Sequence, residues 1–318
     1  MLLRGHPYFF SVVAFAALIL PSCTGGALSS APNALPGLAP SVAHSAAGRS
    51  WIKPSGGSKL LYIADSGSGT VKVYTYPGLA YDGELTGFSQ PLFDCADKAG
   101  NVWIVDYVAG QVEEFAHGGT SPIRTLSGLS NPYECSVNRK TGDLAVAENV
   151  ESNSIHLGEV AVFHQPSGPP SVYNDSNFGL IDGVTYDGSG NLFVDGYTPD
   201  DAFHYAELPA GSSTFQEITL SQTPSAPGKV LWDGQYVDIA DYGDTIYQAQ
   251  GANVVSTIHL NLRNSTLRGF FVAASRQRII ATDAYANQVG VFNYPAGGAA
   301  LKKIKSGLNT PWDAALSP

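Results

Sequence analysis

An all-β, six-bladed propeller is the fold the sequence predicts, and three observations predict it. The composition favours turns over helices. Short β-branched and aromatic runs end in an acid at a near-constant spacing. The last segment of the chain copies the opening of an internal unit.

Of the 318 residues, 35 are Gly, 20 are Pro, one is Met and only 14% are charged, which argues against long amphipathic helices and coiled coils. Hydrophobic residues make up 44% and aromatics 11%, enough for a sizeable core and too much for bulk disorder. The 17 Lys and Arg against 27 Asp and Glu leave a net charge of −10, which argues against a nucleic-acid partner, and none is expected.

Six runs carry the repeat: Leu60–Asp65, Val102–Asp106, Leu144–Glu148, Leu192–Asp195, Tyr236–Asp241 and Ile279–Asp283. Their terminal acids Asp65, Asp106, Glu148, Asp195, Asp241 and Asp283 are spaced 41, 42, 47, 46 and 42 residues apart, the length of one four-stranded antiparallel blade. Within a unit, a first strand leads through a turn such as Gly100-Asn101, Gly142-Asp143 or Gly190-Asn191 into the acid-ended run. A third strand carries an aromatic at Tyr74, Phe115 or Phe292, and a Pro/Gly turn leads to a fourth. Gly128–Cys135 opens the third unit, and Gly307–Ala314 nearly copies it with nothing after it to serve. The run at Leu60 lacks a convincing first strand of its own. The C-terminal segment is therefore expected to supply the innermost strand of blade one and so close the ring.

The Pro-led first strand, the Gly-Asn turn, the Val-Ala-Asp-like run and the Val-x-x-Phe/Tyr strand resemble NHL-type propeller repeats over Leu60 to Pro318. Relatives of that fold include the SMP-30/gluconolactonase group and virginiamycin B lyase as well as many non-catalytic binding propellers, so the resemblance implies an architecture and leaves function to the site.

Residues 1–23 hold one basic residue, Arg4, and an apolar stretch too short to span a bilayer, which reads as a secretory signal. It ends in Leu20-Pro21-Ser22-Cys23, which resembles a bacterial lipobox, so Cys23 is expected to carry lipid on an exported, envelope-anchored protein; ordinary cleavage a few residues later is the alternative. Residues 24–58 are Gly, Ser, Ala and Pro without a hydrophobic period, a flexible tether, and residues 59–318 form the propeller.

In an antiparallel blade the start of the first strand and the end of the second share a face of the disk. At the first-strand position, blades one to six carry Asp313, Asp94, Glu134, Asp182, Lys229 and Arg268, with Trp312 and Tyr133 beside them. Tyr107, Tyr197, Tyr242 and Tyr285 follow the second-strand acids. Six-fold recurrence of those acids suits a structural device in which each accepts N–H groups of the following turn. The first set mixes acid with base, which an ion-pair ring or a ligand or cation site would explain; Asp94, Glu134, Asp182 and Asp313 are the candidate calcium ligands. The long connection Asn149–Gly158 and the acids of Tyr197–Asp201 fall on the same rim, and acids interleaved with Trp and Tyr suit a cationic group or a carbohydrate.

Cys95 and Cys135 occupy the same position in adjacent first strands, where other blades have Gly183, Val230, Gly269 and Ala314. They are expected to be small packing residues with unpaired thiols, since equivalent side chains one blade apart should point the same way around the ring. His117, His156, His164, His204 and His259 show no metal-ligand spacing. The leading expectation is a monomeric, tethered, non-catalytic propeller whose rim binds a protein, peptide or carbohydrate. The rival, by resemblance to the SMP-30/gluconolactonase group, is a calcium-dependent hydrolase or lyase; that family's Asn at inward positions has no match here.

Overall fold

Apolar runs as unbroken as Leu60–Ala64 belong to strands covered on both faces. In the computed structural model, which describes residues 49–54, 56–152, 155–241, 243–263 and 267–318 without the side chains of 151, 152, 155 and 156, this is what the second strands do. Leu60 and Tyr62 pack in a cluster with Val102 and Ile104 of blade two, while Leu61 and Ile63 point the other way into a cluster with Ile280 and Val289 of blade six. Trp103 and Val105 in turn join Leu144 and Val146 of blade three. Alternate side chains of one strand thus serve two neighbouring interfaces, and one hydrophobic cluster fills each of the six gaps between adjacent blades.

Six antiparallel sheets form the ring, with two short 3-10 turns, Ser66–Ser68 and Ala284–Ala286, as its helical content among the described residues. The inner strands of blades one to six are Pro311–Ser317, Pro91–Ala96, Pro132–Val137, Leu180–Tyr186, Val230–Trp232 and Leu267–Val272. The C-terminal strand pairs with Lys59–Asp65 from Leu60 opposite Ser317 to Asp65 opposite Pro311, closing the ring as its sequence implies.

Blade one also has a fifth, outermost strand. Trp51–Ile52, inside the stretch read as tether, pairs with Glu84 and Gly83. Gly83 permits the approach, because a Cβ there would lie 2.1 Å from the Trp51 carbonyl oxygen, and the Trp51 ring meets Tyr81 edge-on at 5.6 Å. Composition concealed an edge strand, held by this pairing and by hydrogen bonds from Lys53 N–H to the Asp82 carbonyl and from Thr86 N–H to the Ser50 hydroxyl. The apolar leader and Cys23 lie outside the described residues.

The Asn149–Gly158 connection, expected as a loop, is instead a continuation of the blade. Leu144–Ser152 and Ile155–Phe163 pair without a break from Leu144 opposite Phe163 to Ser152 opposite Ile155, so blade three extends its two middle strands as a hairpin beside the rim.

Candidate functional site

Inner strands need a device to aim polar side chains along the axis, because a regular pleat would send alternate residues into the blade interfaces. Five of the six carry a register shift for this. In blade three Pro132 faces Glu148 but Cys135 faces Val146, leaving Tyr133 and Glu134 opposite one residue. In blade four Ile181 faces Gly196 while Gly183 faces Asp195, leaving Asp182 extra. Blades one, two and six shift likewise at Pro311/Asp313, Pro91/Asp94 and Leu267/Phe270. Such bulges re-aim a side chain, and they do so beside Asp313, Asp94, Glu134, Asp182 and Arg268.

The first-strand residues divide into a hub cluster, a stack at Arg268 and a rim position at Asp182 rather than forming one rim. At the hub, the Lys229 ammonium donates to Asp313 and lies 3.8 Å from Glu134. Its Nζ also stands 5.7 Å from the Phe93 ring centroid. Asp313 accepts the Asp94 N–H at 3.2 Å, and Glu134 accepts the Val184 N–H at 2.9 Å. All four side chains are buried. Burial, followed by the charge of Asp313, pushes the Asp94 carboxyl well above its ordinary range, and burial does the same to Glu134 against the pull of Lys229. Burial alone would lower the Lys229 pKa, yet the surrounding carboxylates leave it raised. Three of the four calcium candidates thus surround a built-in ammonium, the fourth stands apart, and among the described residues no group of three or more His, Cys, Asp or Glu is arranged to hold a metal ion.

Asp94, Glu134 and Lys229 line an axial cavity of about 300 Å³ together with Trp232 and Phe271. Asp182 and Tyr133 line a different one, of about 760 Å³, between blades three and four on the rim. The two share no lining residue. Tyr107, Phe178, Leu157 and Tyr197 complete the rim cavity's apolar walls, with Asn131, Asn149 and Asp201 at its polar edge. Burial lifts the Asp182 carboxyl to about 7 against the pull of Arg268. Arg268 lies 4.5 Å from the Trp312 ring centroid and donates to the Tyr285 hydroxyl at 3.0 Å. Trp312 and Arg268 therefore form a stack of their own, and Tyr242 lies outside the described residues.

Phe178, Asn131 and Leu157 were not singled out from the sequence. Asn149 and Leu157 fall inside the flagged connection, but only the hairpin shows their use: the Asn149 Oδ1 accepts the Ile181 N–H at 2.9 Å and so fixes the start of the inner strand that carries Asp182. Phe178 has no repeat signature, and it reaches the site from the loop before that strand.

The second-strand acids are a structural device, with different partners from those expected. Asp106 accepts the N–H groups of Ser89 and Gln90 at 2.7 and 2.8 Å, Asp65 that of Asn309 at 2.7 Å, Asp283 that of Arg263 at 2.7 Å, and Asp241 those of Ser225 and Ala226 at 3.0 and 3.2 Å. Glu148 accepts from Ser130 at 3.1 Å and Asp195 from Gly228 at 3.1 Å. These donors belong to the loop that enters an inner strand, so each acid fastens an incoming segment more than its own following turn.

Cys95 and Cys135 form a disulfide with Cα atoms 5.9 Å apart, which corrects the expectation of unpaired thiols. Inner strands converge on the axis, and near the hub the gap between blades shrinks until small residues are required. At the equivalent positions a Cβ on Gly183 would lie 2.3 Å from Val230 Cγ2, and one on Gly269 2.1 Å from Asp313 Oδ1. The crowding that selects small residues also brings two sulfurs within bonding distance.

No protein-family model matches the chain, and no curated protein matches it in sequence. Solved structures do match. A chain of a nidogen/laminin complex superposes with a TM-score of 0.66 at 13% identity, covering 82% of this chain and 98% of that one. A protein of unknown function from Bacteroides caccae gives 0.60 at 11% identity, with 82% and 99% covered. A streptogramin B lyase gives 0.50 at 14% identity over 70% of each chain. The likeness is one of fold. At these identities it reaches no finer than the fold.

Proposed function

We propose that this chain is an exported, membrane-tethered propeller that binds a protein, peptide or glycan at the rim between blades three and four. The observation that carries the proposal is the cavity of about 760 Å³ walled by Tyr107, Tyr133, Tyr197 and Phe178 over the Asp182 carboxyl. A concave, mostly apolar site with few convergent polar groups is what ligand recognition uses, and tyrosines combine contact area with a polar tip. The hairpin of blade three walls it through Leu157, at the place where repeat proteins carry binding insertions. The nidogen/laminin neighbour comes from a complex of two proteins, in keeping with a protein ligand.

Export is supported by the apolar leader ending at Cys23, read from sequence, and by the Cys95–Cys135 disulfide, which suits an oxidising compartment. A mass measurement of the mature N-terminus tests the anchor: a diacylated or triacylated Cys23 is expected, and an unmodified residue downstream of it contradicts the tether. For the site, a ligand-observed NMR screen of mixed amines, sugars, carboxylates and short peptides is expected to give hits that weaken in Tyr197→Leu. Hits that are indifferent to that substitution and to Asp182→Asn place recognition elsewhere.

A further inference from the structure

The rim cavity contains an acid that the fold does not use. Each second-strand acid fastens a loop, and Asp94, Glu134 and Asp313 surround Lys229. Asp182 does neither. The register shift ejects it from the inner strand of blade four, it lines the cavity, and among the described residues its carboxylate accepts no hydrogen bond. Arg268 faces it only through its field, its guanidinium being engaged with Trp312 and Tyr285. A carboxyl group so placed costs free energy when ionised, unless something entering the cavity compensates it.

Charge and lining decide what could compensate. Two carboxylates, Asp182 and Asp201, border the cavity, and among the described residues that line it there is no Lys, Arg or His. An anion would meet two carboxylates, while the cation that faces Asp182, Arg268, is already engaged with Trp312 and Tyr285. A neutral sugar could donate hydroxyl groups to the half-buried carboxylate but would bring no counter-charge. A bare metal ion would find one inner carboxylate in a space of about 760 Å³ walled by rings, far from the six to eight oxygens a calcium ion takes. An organic cation fits both features, since its charge can sit on the carboxylate and its carbons among aromatic rings. The net charge of −10 adds long-range attraction of the same sign.

We propose that the rim cavity binds an alkylammonium group, its cation against Asp182 and its carbon stem among Tyr107, Tyr133, Tyr197 and Phe178. This rests on the reading of the rim as the binding site and names the class of ligand. The ammonium is carried either by a small molecule or by a lysine side chain of a peptide or protein. Binding holds Asp182 in its ionised form, so affinity is linked to proton release. The groups that face Asp182 are Arg268 of blade six, Tyr133 of blade three and Asp195 of its own blade, with Asp201 on the same cavity wall.

Titration calorimetry on the purified protein tests this with choline and n-butylammonium, against 3,3-dimethyl-1-butanol as the neutral isostere of choline. The ammonium probes are expected to bind at pH 8 at least about tenfold more tightly than the isostere. They should weaken roughly thirtyfold between pH 8 and 5.5, as a carboxyl titrating near 7 loses its charge. Asp182→Asn should abolish that pH dependence, and Tyr197→Leu should cost about threefold to tenfold. Should Asp182→Asn fail to fold, the wild-type pH profile and Tyr197→Leu still decide.

A short peptide with one lysine, run beside its acetyl-lysine counterpart, separates the two sources. Free ammonium binding as well as the lysine peptide assigns a small molecule, and a lysine peptide that greatly exceeds both assigns a protein side chain; either supports the site. Equal binding of the isostere, or ammonium binding indifferent to pH, overturns the proposal. If sugars or neutral peptides occupy the cavity and ammonium does not, the ligand class is wrong and the rim reading stands. If nothing occupies it, both fall.

Discussion

Lys229, at the start of the inner strand of blade five, donates to Asp313 of the C-terminal strand in blade one, linking two blades that blade six separates. The contact places a permanent cation among three buried carboxylates, and it makes the closing strand part of the hub as well as of blade one. Several consequences can be measured.

Replacing Lys229 with Met removes the cation and leaves Asp94, Glu134 and Asp313 facing one another. Breaking one side of a buried ion pair typically costs about 3–5 kcal/mol. The urea midpoint should fall accordingly, and by more at pH 8 than at pH 5, where protonation relieves the carboxylates. A midpoint unchanged at both values would show that the hub pair contributes nothing.

Because Lys229 already fills the space among these carboxylates, neither excess calcium nor EDTA should move the wild-type melting temperature by more than about a degree; for a chain of this size each kcal/mol of metal linkage would appear as about 2–4 °C. A clear loss of stability on EDTA treatment would instead favour a metal-bound hub.

The Cys95–Cys135 disulfide closes a loop of sequence separation 40, for which the chain-entropy treatment gives about 4 kcal/mol as an upper range. The double variant Cys95→Ala/Cys135→Ala should lose up to that much unfolding free energy while keeping its far-ultraviolet spectrum. Iodoacetamide on the denatured, unreduced protein should label neither cysteine. One label at each position would restore the free-thiol reading.

Several acids titrate upward on folding, among them the half-buried Asp182 and the buried Glu148 and Asp238, each at about 7 through desolvation. A folded pKa above the unfolded one means that the native state holds the proton more tightly, so the stability these groups contribute is complete below about pH 4 and is lost as pH rises through about 7. Asp233, whose pKa is lowered despite burial because Tyr294 and neighbouring N–H groups donate to it, works in the opposite sense at the acidic end. The melting temperature should therefore decline between pH 5 and pH 8, and Glu148→Gln with Asp182→Asn should flatten that decline. A stability that rises steadily to pH 8 contradicts the assignment.

The ring was legible because its cause is local and repeated. Leu60–Ala64 must be apolar on both faces to fill two interfaces, and that requirement recurs in every blade, so a single chain displays it six times. Closure was legible for the same reason, Gly307–Ala314 being a copy without a unit of its own. The site was legible in part. Bulges and hub crowding depend on how strands converge, which no single strand reveals. Hence Cys95 and Cys135 looked parallel and are bonded, and six first-strand positions that align in sequence divide between Lys229's cluster, Arg268's stack and the cavity above Asp182. Trp51–Ile52 stayed hidden because a two-residue edge strand has no periodicity to read.

The central claim, that recognition occurs at the rim cavity between blades three and four, is tested most directly by soaking crystals of the protein with a chemically mixed fragment library and determining where the fragments settle. Density should concentrate between Tyr133, Tyr197 and Asp182. Fragments that gather in the axial cavity beside Lys229, or scatter over the outer strands while the rim stays unoccupied, would contradict it.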